Sequence, residues 1–348
     1  MTKPLLAITM GDPAGVGPEV IVKAWQEPRV HEACRPVVFG HPAMLVKAVS
    51  LVGGAQNIAE LVDLDQIDDS LFGPETILCL PVGNDDLLEV PAGSPVAGPN
   101  ARTGQAAYDA IVRATDEALA GAVQGIVTAP ISKSALHAAG HRQYPGHTEL
   151  LADRCGVDDF AMMLYLPPDE VPDCPAGLGV VHVTLHMALR EVFGHLTAEA
   201  VCAKCGLADR VMREGFGLAA PRIGVCALNP HGGEEGLFGD EEIRLIAPAV
   251  AQAQSRGINA TGPYPTDTLM GRARDGEFDA VVAMYHDQGH IALKLLGMHR
   301  AVNITLGLPI IRTSVAHGTA FDRAWQGTAE SSGMVAALLT AAQLAFVE

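Results

Sequence analysis

Basic side chains are scarce in this sequence: 23 Lys and Arg stand against 40 Asp and Glu, for a formal net charge of -17. Phosphate backbones are bound by clustered Lys and Arg, so nucleic acid is excluded as a partner. An anionic small molecule would have to be held by a few local cations. Long apolar runs are also missing. None approaches the roughly twenty residues that span a bilayer. The opening stretch MTKPLLAITMGDPAG carries neither a basic leader nor a small-residue cleavage site, so a cytoplasmic protein without a membrane partner is expected. The 7 cysteines, scattered from Cys34 to Cys226, build no disulfide framework. The CxxC pair Cys202 and Cys205 lies in a helical pattern with no second ligand pair at zinc-site spacing, which predicts a packed helix face. Neither GxGxxG nor a Walker A loop occurs, so the two common phosphate-binding loops are absent.

What is present is ample for a core. At 348 residues, 49% hydrophobic and 18% charged, the chain suits a globular protein of two domains. The runs PLLAITM, PVVFG, TILCL, GIVTAPI, GLGVVHVT, RIGVCALNP, AVVAMYH and AVNITLG are short and nearly continuous, as in strands buried on both faces. Amphipathic stretches such as GQAAYDAIVRATDEALAG alternate with them. This alternation predicts an α/β fold with a mostly parallel sheet. The Gly/Pro-rich residues 90 to 104 read as a loop before the long helix.

Three of the apolar runs end in a polar turn that contains a histidine: His186, His231 and His286. Open α/β sheets deliver side chains for ligand binding to the carboxyl ends of their strands, and three neutral imidazoles there could bind a divalent metal and leave positions open for substrate. Taken singly, each histidine reads more simply as a turn residue; the repetition is what points to a site. The segment Met10 to Glu19 follows the first run and opens a helix with Pro18 in its first turn, either as a tight connection or as a ligand site at a helix N-terminus. In Gly146-His147-Thr148-Glu149, Thr148 is placed to cap the next helix, and an adjacent imidazole and hydroxyl could also hold an anion. Lys294, Asn303 and Arg312 fall within one stretch of a chain poor in cations, and a lysine with a forked guanidinium suits phosphate or carboxylate. The turn His317 to Asp322 could approach a flat ligand through its backbone and accept ribose hydroxyls on Asp322.

The segments TMGDPAGVGPE, VTAPISK, PGHTELLA, LNPHGGEEGLFGDEE, YHDQGHIALK and NITLGLPIIRTSVAHGTAFD together resemble the 4-hydroxythreonine-4-phosphate dehydrogenase (PdxA) family, from residue 4 to about residue 345. The resemblance implies a fold like that of isocitrate and isopropylmalate dehydrogenases: two α/β/α domains with a central cleft, in a homodimer whose clefts are each completed by the partner subunit. The implied division is 1–130 with 305–348 for the first domain and 131–304 for the second, which carries the metal ligands. It further implies a divalent metal (Zn, or alternatively Mg or Co) on His186, His231 and His286. Substrate phosphate contacts would come from Lys294, Asn303, Arg312, His147 and Thr148, and NAD or NADP contacts from Gly318, Thr319 and Asp322. Asp267, Asp287 and Lys133 are the candidate proton acceptors.

The implied reaction is oxidation of 4-phosphohydroxy-L-threonine to 2-amino-3-oxo-4-phosphooxybutanoate. Decarboxylation to 3-amino-1-hydroxyacetone phosphate follows, as a step of pyridoxal phosphate biosynthesis. Three features depart from the biosynthetic pattern. His290 stands where leucine is usual and is more like paralogues acting on D-threonate or D-erythronate 4-phosphate. Ala316 replaces an aspartate before HGTA, and Arg323 and Trp325 replace a leucine and a glycine. A metal-dependent hydrolase or aldolase would also use three histidines and an anion pocket, but without a nicotinamide signal; a non-catalytic module would have lost the ligands.

Overall fold

The computed structural model describes residues 2–65, 67–83 and 99–346. Of the expected loop at 90 to 104, residues 90–98 lie outside the described residues. The chain begins with β1 (Leu5–Thr9), α1 (Gly17–Trp25), α2 (Pro28–Ala33), β2 (Arg35–Gly40), α3 (Pro42–Leu51), β3 (Asn57–Glu60) and β4 (Thr76–Pro81). It continues with α4 (Ala101–Leu119), β5 (Gly125–Thr128), α5 (Lys133–Ala138) and α6 (His147–Cys155). A second run comprises β6 (Ala161–Leu166), β7 (Leu178–His182), α7 (Leu189–His195), α8 (Ala198–Arg210), β8 (Ile223–Cys226), α9 (Ala247–Ser255), β9 (Ala260–Tyr264), α10 (Thr266–Arg274), β10 (Ala280–Ala283), α11 (His286–Gly297) and β11 (Val302–Leu306). β12 (Arg312–Val315) and α12 (Ser332–Ala345) close the chain.

Two compact units result, one of residues 1–158 with 308–346 and one of residues 159–307. In the first, the strands lie in the order β3-β4-β2-β1-β5-β12, and every pairing is parallel. β1 is buried throughout, apolar from Leu5 to Ile8 because it is covered on both faces; Leu6 and Ile8 are 0% and 1% exposed. Burying such a side chain contributes roughly 1.5–3 kcal/mol. Helices pack in two groups, α4 with α5 and α6, and α1 with α2, α3 and α12. α4 starts where Asn100 accepts the Thr103 N–H at 3.1 Å, and buries Ala106, Ala107, Ala110, Ile111 and Ala114 at helical spacing. Gly104 is required there, since a Cβ would lie 2.1 Å from the Ala135 carbonyl oxygen of α5.

In the second unit the order is β11-β6-β7-β10-β8-β9. β7, β10, β8 and β9 run parallel, and β6 is antiparallel to both of its neighbours. Cys202 and Cys205 are buried on α8 as free thiols, the packed face that the sequence predicts. No helix among the described residues is long and apolar enough to cross a membrane.

The unit boundary falls after residue 158, not after residue 130. The reason is packing: Leu150 and Leu151 of α6 join the core cluster that holds Ala110, Ile111 and Ala114. Arg154 also reaches Asp116 of α4 with two hydrogen bonds, at 2.8 and 2.7 Å. The return crossing lies after residue 307 instead of 304. Lys133, His147 and Thr148 therefore belong to the first unit.

Candidate active site

In the first unit a cationic cluster gathers at the carboxyl end of β5. Arg312 opens β12, is 3% exposed, and donates from Nη2 to Thr128 Oγ1 at 2.7 Å. Burial pulls the guanidinium down to about 10 while the Glu149 carboxylate opposes this, so Arg312 remains cationic at neutral pH. His147 begins α6, and its Nε2 is enclosed without a hydrogen-bond partner among the described residues. Burial, then the charges of Arg312 and Lys133, hold this imidazole well below its usual pKa, so it is neutral. Ser132 caps the helix that starts at Lys133, accepting the Ala135 N–H at 3.2 Å. Thr148 is not a cap: α6 begins one residue earlier, with Gly146 in extended conformation at the N-cap. Its hydroxyl instead sits in the first helical turn.

The same unit joins two motifs that are far apart in the sequence. Val16 N–H donates to Thr319 O at 3.0 Å, and a Cβ on Gly15 would lie 2.9 Å from that oxygen. Trp325 Nε1 donates to Pro13 O at 3.0 Å. Glu19, fully buried, accepts the backbone N–H groups of Trp325 and Gly327. Gly318 and Asp322 are exposed on the turn so held. Asp12, in the same strand-to-helix connection, is 0% exposed, and burial raises its carboxyl to about 6. Pro18 does lie in the first turn of α1.

In the second unit His186, His231 and His286 follow β7, β8 and β10, three neighbouring parallel strands, so all three loops leave from one sheet edge. The side chains are not equally gathered. His186 and His286 are neighbours, with ring centroids 5.6 Å apart, and line a cavity of about 300 Å³ with Leu185, Tyr285 and Asp287. His231 is exposed and tilts toward Phe238 at 6.5 Å. It opens a run of five residues, through Glu235, with φ between 46° and 79°. Non-glycine residues held in this region store strain of about 1–3 kcal/mol each, a feature common at functional sites. No group of three His, Cys, Asp or Glu able to hold a metal is assembled among the described residues.

His286 Nδ1 donates to Asp287 Oδ1 at 2.7 Å, which leaves the lone pair on Nε2. A ligating histidine characteristically gives its other N–H to a carboxylate, so the donor chemistry of His286 suits a divalent cation. Asp267 is different. It lies in the first turn of α10, and its carboxylate accepts the Thr268 N–H at 2.9 Å. Lys294 follows His286 and His290 at intervals of four along α11, and therefore on one helical face, while Asn303 is in β11 opposite Leu164. The expected phosphate contacts are thus divided: Lys294 and Asn303 in the second unit, Arg312, His147 and Thr148 in the first.

Sequence reasoning missed several supporting groups. Gln288 donates to Ala227 O at 2.7 Å and to Thr266 Oγ1 at 2.9 Å, and accepts Met284 N–H at 2.7 Å, tying together the loops after β8, β9 and β10. Glu242 is 3% exposed and accepts the N–H groups of Leu228 and Asn229 at 2.8 and 2.7 Å, at the base of the His231 loop. Burial alone would raise its pKa, but the hydrogen bonds from Asn229 and Leu228 hold it below the ordinary value. Nothing in the sequence pattern singles out His182, and His290 stands out only as a departure from the family pattern. They are hydrogen-bonded to each other at 3.0 Å. Burial above all pulls their pKa values down, to about 4 and about 3, so both are neutral at physiological pH. The visible signal was YHDQGH itself, which puts a second histidine one turn after His286.

Comparison with known proteins gives a consistent picture. The sequence profile described as pyridoxal phosphate biosynthetic protein PdxA matches residues 32–341. The chain is 46% identical over 349 residues to a 4-hydroxythreonine-4-phosphate dehydrogenase of Geobacter metallireducens, covering 100% of this chain and 97% of that protein. It is 45% identical over 340 residues to a D-threonate 4-phosphate dehydrogenase of Salmonella typhimurium, covering 98% of each. The crystal structure of a 4-hydroxythreonine-4-phosphate dehydrogenase from Klebsiella pneumoniae superposes with a TM-score of 0.85 at 43% identity, over 98% of this chain and 99% of that one. An α/β fold shared over its full length, and identity at this level across nearly every residue, mean that the chain belongs to the PdxA family.

Proposed function

We propose that this protein is a nicotinamide-dependent dehydrogenase that oxidises the secondary alcohol of a four-carbon hydroxy acid phosphorylated at its terminal carbon. The observation that carries this reading is the buried cation Arg312, fixed on Thr128 beside a neutral His147 whose Nε2 has no hydrogen-bond partner among the described residues. Such a site suits a phosphate dianion, and full-length relatives are dehydrogenases of 4-phosphorylated acids.

His186 and His286, which lie together, would hold the divalent metal, with His231 as a third ligand once its exposed loop brings it to them; when bound, the metal would lower the pKa of the substrate hydroxyl and steady the charge left on its oxygen. Zinc suits three imidazoles best. Lys133, Asp267 and Asp287 are the candidates to accept the hydroxyl proton; Asp287 also orients His286 through its Nδ1–H, and Asp267 accepts the Thr268 N–H. Arg312, with His147 and Thr148, holds the phosphate; the turn Gly318 to Asp322 receives the adenosine side of NAD or NADP, with the exposed Asp322 accepting ribose hydroxyls. Oxidation places a ketone β to the carboxylate, and loss of CO₂ follows. On 4-phosphohydroxy-L-threonine this gives 3-amino-1-hydroxyacetone phosphate. The second reading, D-threonate or D-erythronate 4-phosphate, is favoured by His290 standing in place of the usual leucine, and by full-length relatives named for D-threonate 4-phosphate.

The proposed working form is a cytoplasmic homodimer whose clefts are each completed by the partner subunit. Exposed apolar side chains at helical spacing along and just after α11 support a self-association surface: Ile291, Leu295 and Met298. The deciding experiment is a panel of the three phosphorylated acids with NAD and with NADP, followed at 340 nm. Turnover with one acid identifies the substrate; no absorbance change with any would overturn the dehydrogenase reading.

A further inference from the structure

His182 ends β7 at 1% exposure, and His290 lies on α11 at 6%. Neither belongs to the proposed ligand set. His182 Nδ1 is 3.4 Å from the Met162 carbonyl oxygen. A carbonyl only accepts, so the proton is on Nδ1 and the neutral ring carries its lone pair on Nε2. That Nε2 is 3.0 Å from His290 Nδ1, which must therefore donate. The second tautomer is fixed by the first. The His290 ring then stacks on His286, with centroids 3.8 Å apart and planes 11° from parallel.

Gly289 makes this contact possible. A Cβ there would stand 2.5 Å from His182 Nε2 and 2.6 Å from Val180 Cγ1, so any larger residue would push β7 and the imidazole away from α11. The opposite side of His286 is equally determined, because its Nδ1 is committed to Asp287 at 2.7 Å.

We propose that His182 and His290 are positioning residues: a hydrogen-bonded pair, anchored on the Met162 carbonyl, that clamps the His286 ring by stacking and keeps its Nε2 available to a divalent cation. This rests on the reading of His286 as a metal ligand. The pair acts through ring orientation and transfers no proton. Replacing His290 by leucine removes both the donor to His182 and the flat ring against His286, while asparagine retains an N–H near the Nδ1 position. Loss of such a supporting partner typically weakens metal affinity about 10- to 100-fold.

The test is zinc titration by calorimetry into the full-length, chelator-stripped protein, using Zn²⁺ alone. His286→Ala should abolish binding; unchanged binding there would overturn the ligand reading and this inference together. With that arm positive, His290→Leu should raise the zinc Kd about 10- to 100-fold and His290→Asn should recover part of the loss. Excess zinc should also restore kcat in His290→Leu, which a general packing defect would not allow. Wild-type affinity in His290→Leu would refute the inference while leaving the ligand reading intact. Ring nitrogen-15 spectra of the unmodified protein give a readout that needs no variant to fold. Both His182 and His290 should be protonated on Nδ1 and bare on Nε2, and a proton on Nε2 of His290 would also overturn the assignment.

Discussion

The carboxylate of Glu19, in the first turn of α1, receives the backbone N–H of Trp325 from the other end of the chain, and its second oxygen receives the Gly327 N–H at 2.8 Å. One fully buried side chain thus fixes the turn that follows Asp322 against the MGDPAGVGPE connection. Glu19→Ala would leave the buried Trp325 N–H unsatisfied, at about 1–3 kcal/mol, and the half-buried Gly327 N–H without its acceptor, at a smaller cost. The expected result is a lower urea midpoint with unchanged slope, and a rise in KM for the nicotinamide cofactor larger than the fall in kcat. Unchanged stability would show that water replaces the carboxylate.

Arg312 is expected to act on the phosphate rather than on the fold as a whole. A charge-assisted contact is worth about 1.5–3 kcal/mol, so Arg312→Ala should reduce kcat/KM roughly ten- to a hundredfold. An analogue lacking the phosphate should lose much less. Equal losses for both would assign Arg312 to supporting β5 through Thr128.

Asp12 should make stability depend on pH. Its carboxyl titrates at about 6 in the folded protein, against 3.8 as the reference value. A raised folded pKa means that the stability it contributes is fully present below about pH 3.8 and is lost as pH rises through about 6. Asp12→Asn keeps an oxygen for the Ala14 N–H, which the carboxylate accepts at 3.0 Å. The variant should match the wild type near pH 4 and exceed it at pH 7.5, by on the order of 2–3 kcal/mol. Urea denaturation at the two pH values measures this difference.

The apolar surface of the second unit is expected to be covered by a second copy. Leu295, on α11, is 82% exposed. Leu295→Glu should shift sedimentation toward the monomer and lower activity with it, since a charge placed at the centre of an apolar interface is left desolvated and unpaired. A fully active wild-type monomer at assay concentration would refute the dimer proposal. Mixing inactive His286→Ala and Lys294→Ala chains should restore some activity if these residues serve different subunits' clefts.

Much of the architecture was legible in the sequence because it depends on local pattern. Continuous apolar runs become strands covered on both faces, as at β1 and β10, and Pro18 marks the start of α1 where the sequence says it should. The residues of the site were legible as types: histidines after apolar runs, and a few cations in an acidic chain. The boundary at residue 158 was not, because it depends on Leu150, Leu151 and Arg154 packing onto α4 across more than thirty residues of intervening sequence. Nor could spacing reveal that Glu19 meets Trp325, that Gln288 joins three loops, or that His182 and His290 share a proton donor and acceptor 108 positions apart. Tertiary structure also separated the three histidines that the pattern had treated alike. His186 and His286 are neighbours because the strands before them are adjacent and their connections are short. His231 is carried outward by a left-handed turn whose course is set by Glu242 and the surrounding glycines, a balance of local strain and distant hydrogen bonds that no one-dimensional pattern records.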